Sequence, residues 1–311
     1  MGAAMKVAII GAARNHNGIG EYIAKYFKDN GAEVVCVLGT TEQSSRAAAA
    51  NLDKYGIRAK AYFDFLKMIN ESGVEGVAIA SPYVTHKEYI ELCIDAGLHI
   101  FCEKPFISPV VPDVTVRVES MFARAQDKGI VMAMNSQWPF SLPCYEELCG
   151  RIDPARITDF TIRLSPLLEG PEMIPDSVPH ALSLLYCAAG WGKIDGISFR
   201  KGDDSLLIRF VYLTEHTGCE TVIELVREPA QPRTFAYGFN GRVARRQVEL
   251  ETYTLHLTYG DKTLKLEDPL GLSVRDFISA ARSGTEPLLG RRHIVKTASM
   301  LRQIYAEYIR A

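Results

Sequence analysis

The first 134 residues alternate short apolar runs with amphipathic stretches, and this alternation constrains the fold more than any other feature of the chain. Each apolar run is continuous, which is typical of strands that helices cover on both faces. We therefore predict an α/β domain with a doubly wound parallel sheet over residues 1–134. The predicted strands are residues 6–11, 33–38, 76–80, 99–102 and 130–134. The predicted helices are residues 18–30, 41–55, 85–96 and 114–128.

The pattern changes after residue 134. The patterns of residues 142–148 and 178–189 are typical of helices, and that of residues 157–164 is typical of a strand. In residues 194–266, apolar and polar side chains alternate in part with period two. We predict an α+β domain over residues 135–311 with a mostly antiparallel open sheet, which binds substrate and mediates self-association. An exposed apolar sheet face needs cover, so we expect a homodimer or homotetramer through this sheet. The closing helices, residues 274–282 and 292–309, are expected to pack onto a sheet or onto the first domain.

Composition excludes several classes of protein. The 35 basic and 37 acidic side chains among 311 residues leave a net charge of −2, so we expect no nucleic-acid partner. The 7 cysteines include no CxxC pair, which predicts reduced core thiols and no metal site. The sequence shows neither an export signal nor an apolar run long enough to span a bilayer. We therefore expect a soluble, cytoplasmic protein without a membrane partner.

A glycine-rich turn follows the first predicted strand and leads directly into a helix. Glycine lets the backbone turn tightly beside a pyrophosphate, and the N–H groups at a helix N-terminus favour negative charge. The pattern departs from G-x-G-x-x-G, because alanine stands at the second position and residues 15–17 lengthen the loop. We predict a dinucleotide site of the Rossmann type here. Its expected contacts are Gly11, Ala13, Arg14, Gly18, Ile19 and Gly20.

Hydroxyl and basic side chains follow the second predicted strand. A site that prefers NAD usually has Asp or Glu at this point, where it bonds the ribose hydroxyls. Thr40, Thr41 and Arg46 suit a 2′-phosphate better, and a carboxylate is missing at the end of the strand. We therefore predict that the site favours NADP(H) over NAD(H). The alternative is that Thr41 only caps the next helix and that Arg46 is a solvated surface residue.

The run SPYVTHKEYIELCIDAGLHIFCEKPF, residues 81–106, combines a strand ending in Ser-Pro, a histidine, a helix, Ala-Gly-x-His-Ile and Glu-Lys-Pro. This order of elements resembles the Gfo/Idh/MocA oxidoreductases, as does the later pair Asp176 and His180. The resemblance covers nearly the whole chain, although Ser183 and Gln137 depart from it. It implies an NAD(P) cofactor that also contacts Ser81, Pro82, His86, Glu103, Lys104 and Asn135.

The expected chemistry centres on a lysine and a histidine. Lys104 follows a strand that ends at the carboxyl edge of the sheet, where a lysine beside a nicotinamide exchanges a proton with a substrate hydroxyl or carbonyl. The resemblance implies that Asp176 and His180 orient the reacting hydroxyl, with His180 or Lys104 as the proton carrier. We expect reversible oxidation of a secondary alcohol on a sugar, cyclitol or related polyol. From Pro179 we expect Asp176 just before the first helical turn.

Aromatic residues are expected near the same cleft, where they would admit a less polar substrate: Tyr83, Trp138, Phe140 and Trp191. Three other functions are compatible with the sequence. The first is a dinucleotide-binding sensor without turnover, and the second is an enzyme that uses the cofactor transiently for non-redox chemistry. The third is a protein whose first loop binds coenzyme A.

Overall fold

A computed structural model describes residues 3–12 and 18–311 of the chain. The chain forms two compact units. The first unit contains the chain up to Asn135 together with Leu270–Val295, and the second contains Ser136–Pro269 together with Lys296–Ala311. The passage from one unit to the other therefore falls between Asn135 and Ser136.

The first unit contains a 6-stranded parallel sheet with the strand order β3-β2-β1-β4-β5-β6. The chain leaves β1 towards one edge and returns at β4 towards the other, so β1 and β4 flank the point where the order reverses. The strands are β1 (Lys6–Ile10), β2 (Glu33–Leu38), β3 (Lys60–Tyr62), β4 (Gly76–Ile79), β5 (His99–Glu103) and β6 (Met132–Asn135).

Five helices connect these strands in the described residues before Asn135. They are α1 (Ile19–Asp29), α2 (Glu42–Leu52), α3 (Phe65–Ser72), α4 (His86–Asp95) and α5 (Val114–Asp127). β3 and α3 were not predicted from the sequence. Every residue of β4 is buried, as are the last four of β1 and of β5, as expected for strands with helices on both faces.

The second unit contains an 8-stranded sheet in the order β14-β13-β12-β11-β7-β10-β9-β8. Neighbouring strands are antiparallel except β7 and β10, which run parallel. The strands are β7 (Asp159–Leu164), β8 (Gly192–Lys201), β9 (Ser205–Thr214), β10 (Gly218–Val226), β11 (Phe235–Phe239), β12 (Arg242–Glu249), β13 (Thr254–Tyr259) and β14 (Lys262–Leu266). Helices α6 (Leu142–Cys149) and α7 (Met173–Ala189) pack on one face of this sheet. The predicted fold class is confirmed.

The chain closes with α8 (Pro269–Ser283) and α9 (Arg291–Arg310). The sequence prediction assigned both to the second domain. In the structure, Leu270–Val295 packs with the first unit, because Leu270, Val274 and Phe277 enter its core. The Phe277 ring lies 5.4 Å from the ring of Phe101 on β5. Within residues 3–12 and 18–311, no helix combines the length and the apolar character needed to cross a bilayer.

Candidate functional site

The turn after β1 is built on a glycine that no other residue replaces without strain. Gly11 has φ 84°, in the left-handed region that L side chains avoid. A Cβ on Gly11 would lie 2.6 Å from both Cα and N of Ser81, which follows β4. The two backbones therefore meet at the point where the strand order reverses, which is where open α/β sheets bind ligands.

The N-terminus of α1 faces the same turn. Gly18 is the N-cap residue of α1 and provides no side-chain cap. A Cβ on Gly20 would lie 2.9 Å from Cα of Ala12, so this glycine allows close packing of the helix on the strand end. An uncapped helix N-terminus beside a glycine turn suits a phosphate group. Ala13 and Arg14, which were also predicted to contact the nucleotide, lie outside the described residues.

The residues after β2 form a helix cap. Thr41 is the N-cap of α2, its hydroxyl accepts a hydrogen bond from the Ser44 N–H at 3.1 Å, and Ser44 Oγ accepts from the Thr41 N–H at 3.1 Å. The Arg46 guanidinium pairs with Glu42 at 2.5 Å, and its side chain is 74% exposed. Thr40 is exposed. These contacts match the alternative given above, in which Thr41 caps the helix and Arg46 lies on the surface.

The ends of β5 and β6 carry a buried polar pair. Glu103 and Asn135 are the last residues of the two strands and are opposite each other in the register. Both are buried, and Asn135 Nδ2 donates a hydrogen bond to Glu103 Oε1. Asn135 Oδ1 is buried and has no hydrogen-bond partner among the described residues. Lys104 follows directly, is partly buried, and precedes Pro105 through a cis peptide bond.

A nicotinamide dinucleotide fits these features of the first unit. Gly11 leaves room that a Cβ would fill, the α1 N-terminus supplies N–H donors, and Asn135 Oδ1 is an acceptor in need of a donor. The structure brings Gly11 and Ser81 together at the end of β1 and β4. It also brings Glu103 and Asn135 together at the end of β5 and β6.

His86 contacts the backbone that follows β4 and β5. Its side chain is fully buried, with Nδ1 2.8 Å from the Pro105 carbonyl oxygen and Nε2 2.9 Å from the Ser81 carbonyl oxygen. The ring therefore ties the end of β4 to the turn after β5. This arrangement differs from the direct cofactor contact that the resemblance implied, because the ring exposes no surface to a ligand. Pro82, in contrast, is exposed, and Ser81 Oγ lies 2.7 Å from Thr85 Oγ1.

In the second unit, Asp176 and His180 lie one turn apart on α7. The expectation that Asp176 precedes the first turn is wrong, because α7 begins at Met173 and contains Pro179 in its interior. Burial of Met173 and Ile174 in the core outweighs the tendency of proline to end the helix. Asp176 and His180 are partly exposed, whereas every other residue from 173 to 185 is buried.

Ser136 fixes the His180 ring, a role that the sequence did not indicate. Ser136 Oγ lies 3.1 Å from His180 Nδ1, and the donor in this contact depends on the tautomer of the ring. Ser136 is buried and is the first residue of the second unit in the chain, directly after Asn135. Ser183, which stands where the family pattern has a second Asp, is fully buried, and its hydroxyl donates to the Pro179 carbonyl oxygen at 2.7 Å.

The predicted aromatic residues do not share one location. Trp138 is buried and stacks on Phe235, with ring centroids 3.7 Å apart. Trp191 is 48% exposed and follows the C-terminal end of α7. The helical rise places that end about 20 Å from Asp176. Trp191 therefore lies far from Asp176 and His180 and is removed from the candidate site. Tyr83 and Phe140 are partly buried.

The cysteines of the chain are free thiols. All seven cysteines are free, and burial raises the pKa of the Cys36 thiol to about 11 and that of Cys187 to about 12. Thiols held in this protonated form are poor nucleophiles. In the part of the chain that the structure describes, no group of three or more His, Cys, Asp or Glu side chains is arranged to hold a metal ion.

Comparison with known proteins identifies the class of the first unit. Residues 5–135 match the model of the oxidoreductase family with an NAD-binding Rossmann fold that is designated GFO_IDH_MocA. The first unit is thus a nucleotide-binding domain of the Rossmann class. Residues 5–135 are similar to the Gfo/Idh/MocA oxidoreductases, and over these residues the resemblance described for the sequence is confirmed.

Curated relatives agree with this similarity. The inositol 2-dehydrogenase of Salmonella typhimurium is 34% identical over 116 residues, 34% of this chain and 34% of that protein. The scyllo-inositol 2-dehydrogenase (NADP(+)) of Bacillus subtilis is 36% identical over 90 residues, 29% of this chain and 26% of that protein. The chain thus spans about a third of the length of the curated relatives it matches.

A solved 3-ketoreductase from Actinomadura kijaniata, in complex with NADP and TDP-benzene, has the same fold over nearly the whole chain. Its TM-score is 0.73 at 18% identity, over 97% of this chain and 97% of that one.

Proposed function

We propose that this chain is an NAD(P)-dependent oxidoreductase that transfers a hydride between the nicotinamide and a secondary alcohol or ketone of a small substrate. The substrate is a sugar, a cyclitol or a related polyol, a class supported by the names of the curated relatives. The observation that carries the proposal is the buried Glu103–Asn135 pair at the carboxyl ends of β5 and β6, directly before Lys104; open α/β sheets bind ligands at this edge.

Four features of the first unit hold the cofactor in this proposal. The Gly11 and Ser81 backbones and the α1 N-terminus bind its pyrophosphate, and Asn135 Oδ1 accepts a hydrogen bond from a donor such as a carboxamide. A buried acceptor without a donor costs about 1–3 kcal/mol, which such a contact recovers. His86 keeps the Ser81 and Pro105 carbonyl groups in place behind the site.

The proton that accompanies the hydride moves through side chains of this chain. Lys104 or His180 exchanges it with the substrate oxygen, and Asp176, one turn before His180, orients the reacting hydroxyl. Ser136 supports this role because its hydroxyl fixes the orientation of the His180 ring. When bound, the nicotinamide supplies the hydride chemistry itself.

A turnover assay tests this function against two of the three alternatives from the sequence, transient use of the cofactor and a sensor without turnover. The full chain is incubated with polyols and their ketones, and nicotinamide absorbance is compared with the product mass. The proposal predicts one cofactor oxidised or reduced per product, and a kcat for Lys104→Met reduced about 10²- to 10⁴-fold at unchanged cofactor affinity. Product without net cofactor change would indicate transient cofactor use, and binding without any turnover would indicate a sensor.

We further propose that the site favours NADP(H) over NAD(H). Residues 39–41 after β2 include no carboxylate, and one curated relative is named as NADP(+)-dependent. The Arg46–Glu42 pair is exposed, and pairs of this kind contribute about 0–1 kcal/mol, so a 2′-phosphate displaces Glu42 at little cost.

Calorimetric titration with NADPH and NADH tests the preference. Arg46→Ala is expected to weaken NADPH binding about tenfold and to leave NADH binding unchanged. Arg124→Ala is the matched control, because Arg124 is also exposed and pairs with Asp95 at 2.5 Å on another helix of the same unit. Equal affinity of the parent chain for NADPH and NADH would contradict the preference.

We also propose that the chain assembles as a homodimer or homotetramer through the second sheet. Helices cover one face of this sheet, and the side chains of β9 on the other face include Leu213, which is 43% exposed. Light scattering coupled to size-exclusion chromatography is expected to give twice or four times the mass of the chain. A monomer at micromolar concentration would contradict this assembly.

A further inference from the structure

Arg246 on β12 lies over two stacked aromatic rings in the second unit. Its guanidinium carbon is 5.4 Å from the centroid of the Trp138 ring and 5.8 Å from that of Phe235. The two rings are stacked with an interplanar angle of 18°. One guanidinium nitrogen, Nη2, donates to the Arg233 carbonyl oxygen at 2.5 Å. We refer to Arg246, Trp138 and Phe235 as the Arg246 cluster.

The strand register places Arg246 on the covered face of the sheet. Tyr237 on β11 pairs with Ala244 on β12, and both belong to the core of the unit. Side chains alternate along a strand, so Arg246 projects to the same face as Ala244, whereas Arg245 projects to the opposite face. The guanidinium is thus held on the side of the sheet that the helices pack against.

The charge on Arg246 is only partly compensated inside the protein. Its Nε is buried and has no hydrogen-bond partner among the described residues. Within the same residues, no carboxylate lies at ion-pair distance from its guanidinium. Burial lowers the pKa of Arg246, and the charge of Arg233 adds to this effect. Tyr253 and Asp268 act in the opposite direction. A partly desolvated guanidinium whose Nε–H lacks a partner in the described part of the chain favours the binding of an anion, which supplies an opposite charge and hydrogen-bond acceptors.

The Arg246 cluster lies close in the chain to a residue of the proposed reaction site. Trp138 comes two residues after Ser136, whose hydroxyl contacts His180. Two residues span at most about 7 Å, so Trp138 lies near Ser136, which contacts the His180 ring.

We propose that Arg246 binds an anionic group of the substrate, a carboxylate or a phosphate, beside the Trp138 ring over which its guanidinium lies. Arginine suits this role because its planar fork binds two oxygens of such a group at once. The proposal rests on the proposed function in taking the ligand to be the substrate, and it narrows the substrate class to acidic or phosphorylated sugars and polyols.

Tryptophan fluorescence tests the proposal directly. The chain has two tryptophans, so Trp191→Phe leaves Trp138 as the sole reporter in the full chain. Glucuronate, glucose 6-phosphate and neutral glucose serve as probes, with and without NADP⁺. We expect saturable changes of the Trp138 emission with at least one anionic probe and none with glucose at the same concentration. A response to glucuronate alone identifies a carboxylate ligand, and a response to glucose 6-phosphate alone identifies a phosphate.

Substitutions at two neighbouring arginines locate the effect. Arg246→Gln is expected to weaken binding of the anionic probe about ten- to a hundredfold, and Arg246→Lys to have an intermediate effect because it keeps the charge but loses the fork. Arg245→Gln is the control on the opposite face and is expected to bind like the parent. Circular dichroism verifies folding, and if Arg246→Gln fails to fold, the lysine variant decides.

Two results would overturn the proposal: unchanged affinity for the anionic probe in the Arg246 variants, or equal affinity of the parent for glucose. The outcome is separable from that of the proposed function. Turnover of neutral polyols without anion discrimination refutes the role of Arg246 alone. An anion response that depends on Arg246, in a chain that binds no nicotinamide nucleotide, refutes the oxidoreductase function alone.

Discussion

Gly11→Ala should be among the most damaging single-methyl changes in the nucleotide-binding unit. The new Cβ would lie 2.6 Å from two backbone atoms of Ser81, and backbone cannot move aside as a flexible side chain does. The left-handed φ of 84° adds about 1–2 kcal/mol for an L side chain, and overpacking adds about 1–3 kcal/mol. We expect the local free energy of opening at β1 and β4 to fall by about 2–5 kcal/mol.

Gly31→Ala is the matched control. Gly31 has φ 78°, but a Cβ there would meet no atom within 4 Å. It therefore carries the backbone penalty of about 1–2 kcal/mol without the clash. Native-state hydrogen exchange of peptides that cover β1 and β4 measures the local opening free energy of both variants. Equal losses in the two variants would refute the close approach of Gly11 and Ser81.

Three further predictions concern stability. His86→Ala removes the ring nitrogens that contact the Ser81 and Pro105 carbonyl oxygens and opens a cavity, so urea denaturation should show a loss of about 2–4 kcal/mol in the free energy of unfolding. Tyr145→Phe removes a hydroxyl that bonds the backbone of two strands at 2.6 and 3.0 Å, and should cost about 1–3 kcal/mol in the same assay, with an unchanged value as the contrary result. Burial lowers the pKa of His293 from 6.5 to about 3, so the unfolded chain binds a proton that the folded chain excludes. Stability should therefore fall as pH drops through this window, by about 1.4 kcal/mol per pH unit from this residue. His293→Leu should remove that dependence and the exposed His216→Gln should keep it, and identical pH profiles would contradict the assignment.

The sequence predicted the long, continuous apolar strands of the first unit to within two residues at each end. These strands are marked by their own composition and by the polar turns beside them. β3 was missed because it has three residues, Lys60–Tyr62, and pairs only with β2 at the edge of the sheet. Its existence depends on that pairing rather than on local pattern. The sequence left open whether the closing helices pack onto a sheet or onto the first domain, since an apolar helix face does not specify its partner. The structure places Leu270–Val295 with the first unit.

Residues of the candidate site could be proposed from the sequence where they form a run of neighbouring residues. The glycines around Gly11 and the Glu103-Lys104-Pro105 run belong to this group. The roles of Ser136 and Arg246 and the burial of His86 depend on which distant residues meet, and a single sequence does not contain that information. Pro179 misled the prediction for α7 because proline has a strong local effect, whereas the apolar residues around it are held by the core.

Calorimetric titration of the purified full chain with NADPH, NADH and coenzyme A is the measurement to make first. Saturable binding of a nicotinamide nucleotide near one per chain, abolished or strongly weakened in Gly11→Ala and retained in Gly31→Ala, is the predicted result. Absence of binding by both nicotinamide nucleotides, or binding of coenzyme A in their place, would contradict the assignment of this chain as a nicotinamide-dependent oxidoreductase.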